Sequence, residues 1–370
     1  MGGAFRRGRF GAFCTTPPPS EQGEGNGGYE RAVMDAFKTH LATVATGTAL
    51  TRDQARAAFD DLLSGDVTPV QAGAFLTALA VRGESEDEIV GAVSAMRARM
   101  LPVTAPEGAI DIVGTGGDHS GSYNVSTLAA ILTAACGVPV AKHGNRAATS
   151  RSGAADVLAA LGVTIGLQPE GLQRCLEQAG LCFMFAQTHH GAMRHVAPTR
   201  SELPFRTIFN MLGPLSNPAG VTAQVFGVSR SAWAEPLTRV LGTLGSRRVW
   251  TVHGADGLDE ITTTGPTAVV ALEDGALSRF TIHPQDVGLP LATLDDLRGG
   301  DPEHNAAALR AVLEGERNAY RDIAVLNAAA GLVVAGAAGS LNEGVQRAQA
   351  AIDSGAARAT LARLVAASQA

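Results

Sequence analysis

Five short apolar runs, "AIDIV" at 109–113, "VPVAK" at 138–142, "LCFMFA" at 181–186, "AQVFGV" at 223–228 and "RRVWTVHG" at 247–254, each end at a glycine-bearing loop, with helical patterns between them. A chain written in this alternation has few folds open to it. Runs too short for buried helices read as strands, and strands alternating with helices imply an α/β layer around a mostly parallel central sheet. In such sheets the loops at the carboxyl ends of the strands are where ligands gather.

Ahead of this region the pattern is purely helical. Thr51 with Gln54 and Ser85 with Glu88 form capping pairs, and Thr68 followed by Pro69 opens a third helix. Phe75, Leu76 and Leu79, then Ile89, Val93 and Met96, recur at the three- and four-residue spacing of helices that bury one face. The expected organisation is a small N-terminal helical domain at 32–105 and a larger α/β domain at 106–370, whose tail from about 303 adds packing helices. Residues 1–31, rich in glycine, proline and polar side chains, cannot build a core and are expected to be disordered. Their Arg6, Arg7 and Arg9 leave a transit signal, or a start nearer Met34, as alternatives.

Composition removes several function classes. Net charge is −6, which argues against a protein whose main task is to neutralise a nucleic-acid backbone. No apolar run approaches the roughly 18 residues of a membrane span. Cys14, Cys136, Cys175 and Cys182 show no C-x-x-C spacing, so a reducing, cytoplasmic setting is expected. The 44 glycines exceed the usual share of about 7%, as a globular enzyme with many tight turns would show.

Three of those loops carry chemistry. "DIVGTGGDHSGSYNVST" at 111–127 places Gly114, Gly116 and Gly117 after a strand, then Asn124, Ser126 and Thr127 at the start of a helix. Bare backbone lets N–H groups approach an anion, and the helix adds its positive end. A turn with a helix cap would account for this loop by itself. It matches neither the P-loop nor the dinucleotide fingerprint.

"KHGNRAATSRSGAADVL" at 142–158 repeats the device with a cation: Lys142 is expected at a phosphate, cradled by the turn from Ser150 to Gly153. "HGADGLDEIT" at 253–262 ends in adjacent acids, Asp259 and Glu260. Such a pair either faces water or is held by a divalent cation, and beside two phosphate-type loops Mg2+ is the favoured reading.

These motifs, together with "TRSELPFRTIFNMLGPLSNPA" at 199–219, closely resemble the anthranilate phosphoribosyltransferase family over residues 34 to the C-terminus. The resemblance implies the nucleoside phosphorylase/phosphoribosyltransferase type of fold, in which a segment near 198–215 returns to the helical domain, and a cytoplasmic homodimer formed through the small domains. It implies transfer of the 5-phosphoribosyl group from phosphoribosyl pyrophosphate to the amine of anthranilate, in tryptophan synthesis. Gly114, Gly116, Gly117, Asp118, Asn124, Ser126, Thr127, Lys142, Ser150, Gly153 and Ala154 would then bind the sugar pyrophosphate. Ser126, Asp259 and Glu260 would hold Mg2+.

Anthranilate would meet Gly114, His143, Asn145, His190, Arg200, Gly213 and Pro214, with the Arg200 fork on its carboxylate. No general base is implied, since the aromatic amine already carries a free lone pair and needs only to be placed. The chain departs from the family's pattern at Gln187, Gly191, Pro204 and Ala154. The rival readings are a pyrimidine nucleoside phosphorylase, which would lack the acidic pair and "TIFNMLGPL", and a non-catalytic relative that binds nucleic acid.

Overall fold

The computed structural model describes residues 36–147 and 151–370. The expectations for residues 1–31 and for Ser150 lie outside the described residues. Four helices come first: α1 over 36–45, α2 (Arg52–Ser64), α3 (Pro69–Arg82) and α4 (Glu86–Arg99). The hydroxyls of Thr51, Thr68 and Ser85 each accept the N3 backbone N–H, and Gln54, Gln71 and Glu88 each accept the cap N–H in return. Reciprocal caps of this kind are worth about 1 kcal/mol each, enough to fix where every helix begins. Glu88 does more, because its second oxygen also takes the Leu50 N–H at 2.9 Å, while Arg82 pairs with its carboxylate.

The rest of the chain runs β1 (Ile110–Gly114), α5 (Val125–Ala135), β2 (Val140–Gly144), α6 (Ala154–Ala160), α7 (Pro169–Ala179), β3 (Leu181–Phe185), α8 (Ala186–His189), α9 (Ala197–Glu202), α10 (Phe209–Leu215), β4 (Ala223–Gly227), α11 (Ala234–Thr243) and β5 (Arg248–Gly254). There follow β6 (Thr267–Glu273), β7 (Ala276–Ile282), α12 (Pro302–Leu313), α13 (Ala319–Val334), α14 (Leu341–Asp353) and α15 (Ala356–Gln369). The seven strands form one sheet in the order β3-β2-β1-β4-β5-β6-β7. Pairs among β1 to β5 are parallel, and β5–β6 and β6–β7 are antiparallel.

The five strands read from the apolar runs are β1 to β5. The β6–β7 hairpin was not among them. Its signal is the Asp274–Gly275 turn, where both residues take positive φ, 44° and 90°, as a two-residue hairpin loop requires.

Strand order reverses between β1 and β4, and at such a switch point the crossover connections leave to opposite sides and open a crevice. The central strands are buried on both faces, which is why they read as unbroken apolar runs, whereas β7 at the edge is largely exposed. One face, with Ile110, Ile112 and Val225, packs on α5, α7 and α12–α15. The other, with Val113, Phe226 and Val249, shares a core with α2–α4, α10 and α11. Phe59 of α2 meets Phe209 of α10 edge to face at 5.7 Å, and Val196, Ile208 and Leu212 join the same core.

Candidate active site

The crevice at the switch point is built on two glycines. Gly114 and Gly227 are register partners at the carboxyl ends of β1 and β4, and the loop after β5 lays Asp259 across them. A Cβ on Gly227 would overlap the Asp259 backbone carbonyl, and one on Gly114 would overlap its carboxylate. The Asp259 Oδ2 accepts the Gly116 N–H at 2.6 Å, and Glu260 Oε1 accepts the Ser126 N–H at 3.1 Å. Both acids therefore sit against the loop and helix start that follow β1, although about 130 residues or more separate them in sequence.

The loop that carries them is fixed by its own side chains. Asp256 accepts from the Leu258 N–H and from the Thr262 and Thr264 hydroxyls, the latter two at 2.6 Å. Burial, and then the nearby Asp118 carboxyl, push Asp259 up to about 7. Burial and the Asp259 charge push Glu260 to about 8, against the pull of Lys142.

Lys142, expected at a phosphate, is buried, and its ammonium donates to the Ile112 carbonyl at 2.6 Å and to Ser126 Oγ at 3.2 Å. Burial lowers its pKa, and Asp111, Glu260 and Asp259 oppose that. Asp111, fully buried and raised to about 6 by that burial, accepts the His143 N–H at 3.2 Å and the Asn217 amide at 2.7 Å. Asn217 also donates to the Ala141 carbonyl. Sequence reading missed Asp111 and Asn217, although both lie inside the motifs quoted; an acid within an apolar run and an Asn before Pro were the available signals.

The glycine-rich loop differs in detail from an open cradle. Gly116, Gly117 and Gly121 take positive φ, as does His119. The Gly116 N–H is engaged by Asp259, and the Gly116 and Gly117 carbonyls accept from Arg206 Nη1 at 2.9 and 3.2 Å. Arg206, also missed from sequence, lies over the Trp233 ring, which Arg230 approaches as well. Asp118 accepts from the Ser120 N–H and hydroxyl. Asn124 is the N-cap residue of α5, but its side chain makes no capping bond; its amide links Ser152 and Asn305 instead. Thr127 is buried, and its hydroxyl has no partner among the described residues.

The second loop wraps Asp156, which accepts the Ala147 and Gly153 N–H groups at 3.0 Å and pairs with Arg146. A Cβ on Gly153 would strike the backbone at Arg146 and Ala147, so only glycine fits. Ala154 opens α6 beside it, and Asn145 is exposed with its side chain on the Arg146 N–H.

The residues assigned to the acceptor also converge. His143 Nδ1 lies 3.1 Å from the Gly213 carbonyl, so that nitrogen carries the proton. Its Nε2 and that of His190 are buried with no partner among the described residues, and the two rings meet edge to face at 5.1 Å. Burial lowers the His143 pKa well below 6.5 and takes His190 to about 4. Arg200 is half-buried, its guanidinium 5.2 Å from the centre of the Phe209 ring. No carboxylate among the described residues pairs with it. Pro214 accepts from Gln224, and a Cβ on Gly213 would meet open space.

Among the described residues, no group of three or more His, Cys, Asp or Glu side chains is assembled to hold a metal. Mg2+ takes one or two carboxylates and completes its shell with water and phosphate oxygens. Buried Asp259 and half-buried Glu260, their charge opposed by their surroundings and the Ser126 hydroxyl beside them, fit such an ion.

Residues 106–358 match the glycosyl transferase family a/b domain and residues 38–100 its helical bundle domain. Fold and crevice together thus define a two-domain glycosyl transferase. The anthranilate phosphoribosyltransferase of Methylorubrum populi is 89% identical over 91% of this chain and all of its own, and that of Methylobacterium nodulans is 76% identical over the same shares. Among solved structures, the Thermus thermophilus enzyme of that name superposes with a TM-score of 0.85 at 44% identity, covering 91% of this chain and 100% of its own. The Saccharomyces cerevisiae enzyme in complex with PRPP and Mg gives 0.84 at 28%, covering 90% and 98%. The chain belongs to the anthranilate phosphoribosyltransferase family.

Proposed function

We infer that this chain moves the 5-phosphoribosyl group from phosphoribosyl pyrophosphate to the amine of anthranilate, releasing pyrophosphate. The observation that carries the reading is the crevice itself: the tips of β1, β2 and β5 meet through Gly116–Asp259, Ser126–Glu260 and Lys142–Ser126. Cleavage at the anomeric carbon leaves negative charge on the departing pyrophosphate, so stabilising that charge is the largest task. Asp259, Glu260 and Ser126 would hold Mg2+, which when bound to the diphosphate neutralises the charge that develops there.

The chain's own groups do the remaining work. Gly114, Gly116, Gly117 and Asp118, with Asn124, Thr127, Gly153 and Ala154, shape the donor side, and Lys142 offsets the charge of the acids and meets a phosphate. Arg200 offers a fork to the anthranilate carboxylate. His143 and His190, neutral and buried, place the ring without claiming its proton, and positioning of this kind supplies roughly 7 kcal/mol in good cases.

The bundle helices and the 198–215 segment, joined through Phe59 and Phe209, would move together to close the crevice. We further read the chain as a cytoplasmic homodimer. Free thiols at Cys136, Cys175 and Cys182 suit a reducing compartment, and α3 exposes Val70 and Val81 at 82% each, apolar surface suited to a partner bundle. Purified protein with Mg2+ should make anthranilate fluorescence disappear only when phosphoribosyl pyrophosphate is present. Phosphorolysis of uridine or thymidine instead would move the assignment to the nucleoside phosphorylases.

A further inference from the structure

Helix α13 carries two polar side chains, seven residues apart and so on one face, that both reach the crevice loops. The Tyr320 hydroxyl donates to the Asn124 carbonyl at 3.2 Å, where the glycine-rich loop ends. Two turns further on, Asn327 grips the backbone just past the acid pair. Its Oδ1 accepts the Ile261 N–H at 3.0 Å and its Nδ2 donates to the Ile261 carbonyl at 2.8 Å. Nδ2 also donates to the Ile323 carbonyl at 2.9 Å, one turn back in its own helix, so the amide cannot rotate without breaking three bonds.

Asn327 is fully buried, and so is Ile261. The Ile261 N–H belongs to the peptide plane shared with Glu260, and a planar peptide held at its nitrogen fixes the direction in which the Glu260 backbone enters it. The carbonyl bond fixes the plane that follows. A neutral amide does this without adding charge beside two carboxylates.

We propose that Asn327 is a positioning residue: it sets the Glu260–Ile261 peptide before any ligand arrives and thereby holds the acid pair against the start of α5. The inference rests on Asp259 and Glu260 being the cation-holding pair. Outer-shell partners of this kind change metal affinity by roughly 10- to 100-fold when removed.

The test is the binding of Mn2+, as a paramagnetic stand-in, to the full chain with pyrophosphate, read from free Mn2+ by electron paramagnetic resonance. Asn327→Ala and Asn327→Ser should each weaken Mn2+ binding about tenfold or more per folded molecule, with the KM for anthranilate nearly unchanged. Lower melting temperature with unaltered Mn2+ affinity would make Asn327 merely structural and overturn the proposal. Joint Asp259→Asn and Glu260→Gln substitution separates the two readings: if that variant binds Mn2+ as well as the parent does, the pair is not the cation site and the premise itself fails. The unsubstituted protein gives a measurement that needs no variant. The Ile261 amide should resist hydrogen–deuterium exchange equally with and without Mn2+ and pyrophosphate; protection gained only on loading would overturn the preset geometry.

Discussion

The backbone of Asp259 rests directly on Gly227, in space that any side chain at that position would occupy. Because Gly227 ends β4 beside Gly114 of β1, the bare edge of the sheet is what lets the acid reach the Gly116 N–H at 2.6 Å. Gly227→Ala should force the β5–β6 loop away, lower stability by about 1–3 kcal/mol as overpacking does, and remove most turnover. Thermal melts and the fluorescence assay check both parts; full activity in a folded variant would show that Asp259 need not lie there.

Arg200 has an aromatic ring beneath it and, among the described residues, no carboxylate paired with it, which leaves its fork for a ligand. Arg200→Ala should raise the KM for anthranilate roughly 10- to 100-fold, the loss expected for a charged hydrogen-bonded pair, and leave that for phosphoribosyl pyrophosphate within a small factor. Equal increases for both substrates would remove the assignment.

Arg206 holds two successive carbonyls of the glycine-rich loop while lying over Trp233. A lysine supplies charge but neither the planar fork nor the stacking surface. Arg206→Lys should therefore raise the KM for phosphoribosyl pyrophosphate about tenfold, with anthranilate binding little changed. An unchanged donor KM would mean that the loop is held in place without this contact.

His190 is buried with a pKa near 4, whereas the unfolded chain protonates it near 6.5. The unfolded state thus takes up the proton first as pH falls. Stability should decline from pH 6.5 downwards and stop declining, for this group, once the native ring protonates near 4. At pH 5 the contribution is about 2 kcal/mol. Denaturant melts of His190→Gln should show a smaller loss between pH 7 and pH 5 than the parent; identical slopes would contradict the burial argument.

Within the β6–β7 hairpin, Gly275 sits at φ 90° in the turn after Asp274. Gly275→Ala should cost about 1 kcal/mol or more, because an L side chain is strained there, while both Michaelis constants stay the same. A kinetic change would imply that this distant hairpin is coupled to the crevice.

Local rules were enough to reveal much of this protein in its sequence. The capping pairs at Thr51 and Ser85, the five apolar runs and the glycines at their ends each report a preference that a few neighbouring residues enforce by themselves. The same reading missed the hairpin at 267–282 even though Asp274–Gly275 marked its turn. Nor could it show that the Lys142 ammonium reaches the Ile112 carbonyl and Ser126, since a lysine at the end of a strand looks the same whichever way its ammonium turns.

Only the tertiary structure decided which tips meet. Strand order, set by how the crossovers pack rather than by any short motif, brings β1 beside β4 and opens the crevice between them. Asp259 then reaches Gly114 from about 145 residues away, Arg206 crosses to the Gly116 and Gly117 carbonyls, and Asn327 braces Ile261. The sequence by itself determined which chemical groups were present and on what elements. Their mutual distances came from long-range packing, where burial on both faces of the sheet selects one arrangement and no local pattern records it.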